Sequence, residues 1–211
     1  HLTNRRQRQM CIRDRIEQVM FVNNIERDKD FDFAKELYLV RRRLEKRIAK
    51  QQINGFYVCS LSFESIIYKG LFLAEQLSIF YPDLANEEFI SSFAVFHQRY
   101  STNTFPSWGL AQPFRLLAHN GEINTISGNT NWMRNHQTRI TTEIFGDDSE
   151  QVKPIIEKNV SDSSALDAAF ELYVRAGRSV PLVKTLLIPE AWSKRSELMP
   201  IEHRNMYEFS N

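Results

Sequence analysis

Between positions 33 and 48, Phe33, Leu37, Val40, Leu44 and Ile48 recur every three or four residues with lysine, arginine and glutamate between them, the period of an amphipathic helix. Beyond Asn54-Gly55 the pattern changes. "FYVCSLS" (56–62) and "SIIYKGLF" (65–72) are short, aromatic and β-branched, and read as paired strands joined around Phe63 and Glu64. "LAEQLSIFYPDL" (73–84) predicts a short helix closed near Pro82. "FISSFAVFHQRYS" (89–101), apolar at 93–96 in succession, predicts a strand covered on both faces, with Arg99 at or just beyond its end. "FRLLAHNG" (114–121) reads as a strand ending in a turn, "NTISGNTNWMRNH" (124–136) as a helix despite Gly128, and "FGDDSEQVKP" (145–154) as a polar loop. "SDSSALDAAFELYVRAG" (161–177) carries a helix start signal, an apolar face at Leu166, Phe170 and Tyr173, and a stop at Gly177. "SVPLVKTLLIP" (179–189) repeats the pattern with Pro181 in the first turn, and the chain closes on "MYEFSN" after a loop. Strands followed by helices predict a mixed α+β fold with helices on largely antiparallel sheets.

Composition narrows this picture. At 211 residues and 42% hydrophobic content the chain suits one domain with a real core. Lysine and arginine number 27 against 26 acidic residues, and a net charge of +1 gives no reason to expect nucleic acid as a partner. The Arg41-Arg42-Arg43 run, with Glu36 and Glu45 within one turn, reads as a solvated face. No run approaches the roughly 20 apolar residues of a membrane span, and the start has no signal-peptide core, so the sequence reads as soluble and cytoplasmic. It starts without methionine and stops abruptly, as a piece of a longer polypeptide does. Residues 1–30 stand apart as a basic, unmatched segment whose opening "HLTNRRQRQMCIRDR" resembles a cloning or assembly scar; a basic arm for RNA or a membrane surface is the competing reading.

Four features bear on chemistry. Arg99, at the end of a predicted buried strand, offers the paired donors that a carboxylate takes, although an arginine there is more often a structural ion-pair partner. Asn120-Gly121 is the residue pair of a type I′ turn, with both central residues at positive φ. The functional alternative is an oxyanion hole, with the Asn120 amide and the Gly121 N–H aimed at a developing negative oxygen. Asp162 stands where a helix cap belongs; if Ser161, Ser163 or Ser164 caps instead, its carboxylate is available to a substrate ammonium. Cys59 lies in an apolar pattern that favours an inert thiol, and His97 and His119 have no partner at metal-ligand spacing, so no metal site is expected.

Taken in order, "FAVFHQRYSTNTFPSWGLAQPFRLLAHNGEINTISGNTNWMR" and "SDSSALDAAFELYVRAGRS", with "FYVCSLSFESIIYKG" and "IPEAW", resemble the glutaminase domain of glutamate synthase large subunits, over residues 31–211. The resemblance implies a partial class II glutamine amidotransferase domain of the N-terminal-nucleophile hydrolase type, a four-layer αββα sandwich incomplete at both ends. It implies that Arg99 of "RYST" holds the glutamine α-carboxylate, Asp162 of "SDSS" its α-ammonium, and Asn120 and Gly121 the oxyanion, with Thr102 lining the pocket. In this family the nucleophile is a cysteine at the start of the mature chain, which uses its own amine as base. Here residue 1 is His1, and neither Cys11 nor Cys59 stands at that position, so the fragment alone is expected to be inactive. For the parent enzyme the resemblance implies ammonia passed to synthase domains that make glutamate from 2-oxoglutarate. Flavin mononucleotide and an iron–sulfur cluster belong to that synthase portion and none to this segment; the electron donor is a small partner subunit or ferredoxin. The compartment is the cytoplasm, or the plastid for a photosynthetic eukaryote. A noncatalytic glutamine-binding or scaffold domain, or another class II amidotransferase such as glucosamine-phosphate synthase, are the alternatives.

Overall fold

The computed structural model describes residues 15–21, 32–70, 73–97, 108–121, 123, 126–139, 142–158, 160–190 and 198–210. Helix α1 (Phe33–Lys50) follows the period read from the sequence. Asp32 caps it by accepting the Lys35 N–H at 2.9 Å, Glu36 lies in the first turn, and Arg47 and Lys50 in the last, as the helix dipole favours. Its buried side is not the expected one. Tyr38, Leu39, Arg41 and Arg42 are buried, whereas Val40 and Leu44 are exposed.

The reading of Arg41–Arg43 as a solvated face is therefore corrected for two of the three. Arg41 is 4% exposed and pairs with Glu45 at 2.7 Å and with the equally buried Glu171. Arg42 pairs with Glu45 at 3.0 Å and donates to the Pro154 carbonyl at 2.6 Å. Only Arg43 is solvated, gripping Asp148 through Nε and Nη2. Burial alone would pull the Arg41 guanidinium down, but Glu171 and Glu45 outweigh it and hold its pKa above the usual arginine value. Burial pushes the Glu45 carboxyl up, and Arg41, Arg115 and Arg42 together bring it below the usual range.

After α1 come α2 (Leu77–Phe80), set between 3₁₀ turns at Ala74–Gln76 and Pro82–Ala85, then α3 (Ile126–His136), α4 (Thr142–Phe145), α5 (Asp162–Arg175), α6 (Val180–Leu187) and α7 (Ile201–Ser210). Gly177, at φ +88°, ends the chain's run beyond α5, and Pro181 lies in the first turn of α6. Ahead of "MYEFSN", where a loop was expected, the chain is already helical from Ile201, in the helix Ile201–Ser210.

The core joins Tyr38 and Leu39 of α1 to Ala165 and Leu172 of α5, with Phe145, Val152, Ile155 and Ile156 between them. The stretch read as a polar loop thus supplies core residues, its Gly146–Glu150 portion wound into a 3₁₀ helix. On α5 the buried line runs through Ala165, Ala169, Phe170 and Leu172, with Leu166 and Tyr173 half-buried.

Among the described residues, the runs read as strands (56–62, 65–70, 89–97 and 114–121) carry no backbone ladder. The expected hairpin is marked all the same. The chain bends at Phe63 and Glu64, where the Ser62 hydroxyl accepts the N–H groups of Glu64 and Ser65, and Ser60 Oγ accepts the Ile67 N–H at 3.2 Å across the two arms. The 89–97 run is uncovered and bends at Ser92, with Phe93 and Phe96 each 78% exposed. Successive apolar positions state that both faces seek cover, not which element provides it.

Glu171→Ala leaves the Arg41 charge buried with Glu45 alone, so it should lower stability by about 3–5 kcal/mol. Urea denaturation checks this. Replacing Arg41 and Glu171 together by Met should recover most of the loss, and a double variant no better than the single one would contradict the buried-pair account.

Candidate functional site

The stretch from Trp108 to Gly121 is held at several points. It opens with a 3₁₀ turn at Trp108–Leu110, passes a cis Gln112–Pro113 bond, and tightens where the Phe114 N–H donates to the Leu117 carbonyl at 2.8 Å. Phe114 is buried. The carboxylate of Asp167, on α5 and 2% exposed, accepts the N–H groups of Leu116 at 2.9 Å and Leu117 at 3.0 Å, with that of Arg115 at 3.3 Å. Burial raises the Asp167 pKa, against these backbone donors and Arg115, which lower it.

The Arg115 side chain adds a second hold. Its Nη2 reaches Glu45 Oε1 at 3.1 Å and the Val58 carbonyl at 2.8 Å, and its guanidinium lies 4.9 Å from the Tyr57 ring centre. A third hold is Lys69, 3% exposed, whose Nζ donates to the Ala111 carbonyl at 2.7 Å between the Tyr57 and Phe114 rings. Burial depresses the Lys69 pKa to about 8. A fourth is Gln112, whose Oε1 accepts the His119 N–H at 2.8 Å.

At the end of this braced segment Asn120 and Gly121 are exposed. Neither lies in the left-handed region, so the pair does not form the type I′ turn its sequence favours. The backbone follows tertiary anchors rather than the local preference. Asp162 is half-buried at the first position of α5. Ser161 is the cap, its hydroxyl accepting the Ser164 N–H at 3.2 Å, while Asp162 Oδ1 takes the Ser163 N–H at 2.6 Å. No hydrogen bond joins Asp162 to Asn120 or Gly121 among the described residues. Their link is indirect: α5 carries both Asp162 and the Asp167 that grips residues 115–117.

Arg99, Thr102 and Cys11 lie outside the described residues. His97 is exposed, and burial raises the pKa of the Cys59 thiol, as an inert thiol requires. Among the described residues no three of His, Cys, Asp and Glu stand as a metal site, and no helix is long and apolar enough to cross a membrane. A cleft of about 680 Å³ at the C-terminal end of α1 is lined by Arg43, Lys46, Arg47, Lys50, Gln51 and Gln151, none of them a residue of the candidate site.

Sequence reasoning passed over Lys69, Gln112, Arg115, Asp167 and Glu171. One signal was available. Asp167 and Glu171 stand four apart inside "ALDAAFELY", where a carboxylate among apolar neighbours calls for a buried donor.

The class II glutamine amidotransferase family matches residues 7–211, and the chain belongs to it. At the level of individual proteins, the chain is 54% identical over 199 residues, 94% of its length, to the glutamate synthase [NADPH] large chain of Azospirillum brasilense. It is 45% identical over 180 residues, 85% of its length, to the corresponding large chain of Bacillus subtilis, and 44% identical over 183 residues, 86% of its length, to the chloroplastic ferredoxin-dependent glutamate synthase of Spinacia oleracea. It spans only 13%, 12% and 11% of those proteins, respectively.

The buried Lys69 makes a prediction about pH. Its folded pKa of about 8 lies below the unfolded value of 10.5, so between these the unfolded state holds more protons and stability rises with pH. Relative to Lys69→Met, the wild type should therefore gain stability above about pH 8, with a slope of up to roughly 1.4 kcal/mol per unit. Urea midpoints of the two proteins across that range give the answer, their difference removing the contribution of other groups. A constant difference would refute a depressed Lys69.

Proposed function

We propose that this chain is the glutamine-binding part of the glutaminase domain of a glutamate synthase. Asn120 and the Gly121 N–H form the oxyanion hole, Arg99 holds the glutamine α-carboxylate, Asp162 holds its α-ammonium, and Thr102 lines the pocket. The observation that carries the reading is Asp167. By accepting the N–H groups of Leu116 and Leu117, it makes the helix that begins at Asp162 the anchor of the segment that ends at Asn120–Gly121. Capping by Ser161 adds support, because it leaves Asp162 for a role other than the cap.

In this reading a cysteine thiolate attacks the side-chain amide carbon, the C–N bond breaks to release ammonia, and water then frees glutamate from the thioester. Negative charge on the carbonyl oxygen is what Asn120 and Gly121 stabilise. Cys59, inside the chain and without an α-amino group to act as its base, and with its thiol pKa raised by burial, does not suit the thiolate's role. In this family that thiolate is the cysteine that starts the mature chain. The finer fold is a four-layer αββα sandwich of the N-terminal-nucleophile hydrolase type, a reading supported by the class II glutamine amidotransferase family match.

Ammonia passes to synthase domains of the same polypeptide, which carry flavin mononucleotide and an iron–sulfur cluster and make glutamate from 2-oxoglutarate. The named relatives include NADPH-dependent and ferredoxin-dependent enzymes, and either a small electron-donating subunit or ferredoxin is the partner here. The compartment is the cytoplasm or, for a photosynthetic eukaryote, the plastid.

Glutaminase kinetics of the intact polypeptide test the pocket. Arg99→Ala and Asp162→Ala each remove a charge-assisted contact and should raise the KM for glutamine roughly tenfold or more. An unchanged KM in both would overturn the assignment.

A further inference from the structure

We propose that Gln112 is a positioning residue for glutamine hydrolysis, setting the register of Asn120 and Gly121 by closing the loop that precedes them. The inference rests on the oxyanion-hole reading of that pair and extends it to a residue that touches no substrate.

The geometry has a fixed base and a free tip. The base is pinned twice, by Lys69 Nζ on the Ala111 carbonyl and by Asp167 on the N–H groups of Leu116 and Leu117. Between Leu117 and the exposed Asn120 lie only Ala118 and His119. His119 Nε2 is buried with no hydrogen-bond partner among the described residues, so that atom does not fix the tip. The His119 backbone is fixed instead, because Gln112 Oε1 accepts its N–H at 2.8 Å across seven residues. Gln112 directly follows Ala111, so the acceptor springs from the pinned base of the loop. The His119 amide lies two residues before the Gly121 N–H, and a shift there moves the donor aimed at the oxyanion.

Such a hold acts on the transition state. An oxyanion donor stabilises charge that develops only during attack, so a misplaced Gly121 N–H lowers kcat and leaves KM for glutamine nearly unchanged. Displacement of a reacting group by about 1 Å costs on the order of 100-fold.

The test compares Gln112→Met, which keeps the length of the side chain and loses the acceptor, with Gln112→Glu, which keeps an acceptor oxygen. Asn120→Ala is run in parallel, all in the intact polypeptide. Rates are normalised to active sites titrated with an electrophilic glutamine analogue, so loss of folded protein does not register. Gln112→Met should lower kcat about tenfold or more with KM within about twofold, and Gln112→Glu should restore kcat to within about threefold of wild type. Asn120→Ala should cost about 100-fold in kcat. Wild-type kcat in Gln112→Met alongside a damaged Asn120→Ala overturns the positioning role alone, as does equal loss in the Met and Glu variants. Wild-type kcat in Asn120→Ala overturns the oxyanion reading on which the proposal rests.

Discussion

The structure turns on the ionic cluster buried between α1 and α5. Arg41 meets Glu171 and Glu45, Arg42 meets Glu45, and Arg115 reaches the same Glu45 from the 108–121 segment. Three arginines share two carboxylates, buried Glu171 and partly buried Glu45, so loss of Glu171 leaves Arg41 charged in a poorly solvated place. A buried pair adds little net stability over apolar packing, but it has direction, which apolar contacts lack. The angle and register of α1 against α5 are thereby defined, and the small cluster of Tyr38, Leu39, Ala165 and Leu172 packs in the frame so set.

From that frame the order passes outward through Arg115. Its side chain belongs to the cluster, while its backbone and the next two N–H groups rest on Asp167, four residues before Glu171 on the same helix. One turn of α5 therefore holds both the guanidinium network and the main chain of the segment that leads to Asn120. The spacing of Asp167 and Glu171, one helical turn, places both carboxylates on one face, toward α1 and the segment. Lys69 completes the support from the other side, at the cost of a buried ammonium between two aromatic rings.

How far this was legible in the sequence depended on whether local signals decide the outcome. Helices α1, α3, α5 and α6 were readable because caps, glycine stops and the 3.6-residue period are properties of the segment itself. The buried face of α1 was not. Hydrophobicity ranks Val40 and Leu44 above Arg41 and Arg42, and the order inverts only because carboxylates from Glu171 and Glu45 are waiting, one of them 130 residues away. Asn120-Gly121 misled for a related reason. The pair prefers positive φ in isolation, but a segment anchored by Asp167, Gln112 and Lys69 takes the backbone that those anchors impose. The strand readings at 56–70 identified the bend at Phe63–Glu64, a local matter of Ser62, and not a ladder, which needs a partner. Of the proposed pocket, Asp162 and Asn120–Gly121 were candidates by residue type, while the residues that brace the 108–121 segment were invisible, because a bracing role is defined only by what lies opposite.

An oxyanion hole must be rigid when charge develops yet open to the substrate before it, and these demands conflict in a single turn. If Asn120 and Gly121 are the proposed oxyanion hole, the arrangement at 108–121 separates these demands along the chain. Rigidity resides in buried Asp167 and Lys69 and partly buried Arg115, which act on residues 111 and 115–117. Access resides at Asn120 and Gly121, which are exposed and carry no bracing of their own among the described residues. Only Ala118 and His119 lie between, too short a span for the tip to wander once the His119 amide is held. A tighter turn with its own type I′ geometry would fix the pair without these supports. It would also point the Gly121 N–H by the rules of hairpins rather than by the position of α5, the helix that begins at Asp162. Pre-organisation drawn from α5 therefore ties both proposed halves of a glutamine site to one helix, Asp162 directly and Asn120–Gly121 through Asp167's grip on Leu116 and Leu117.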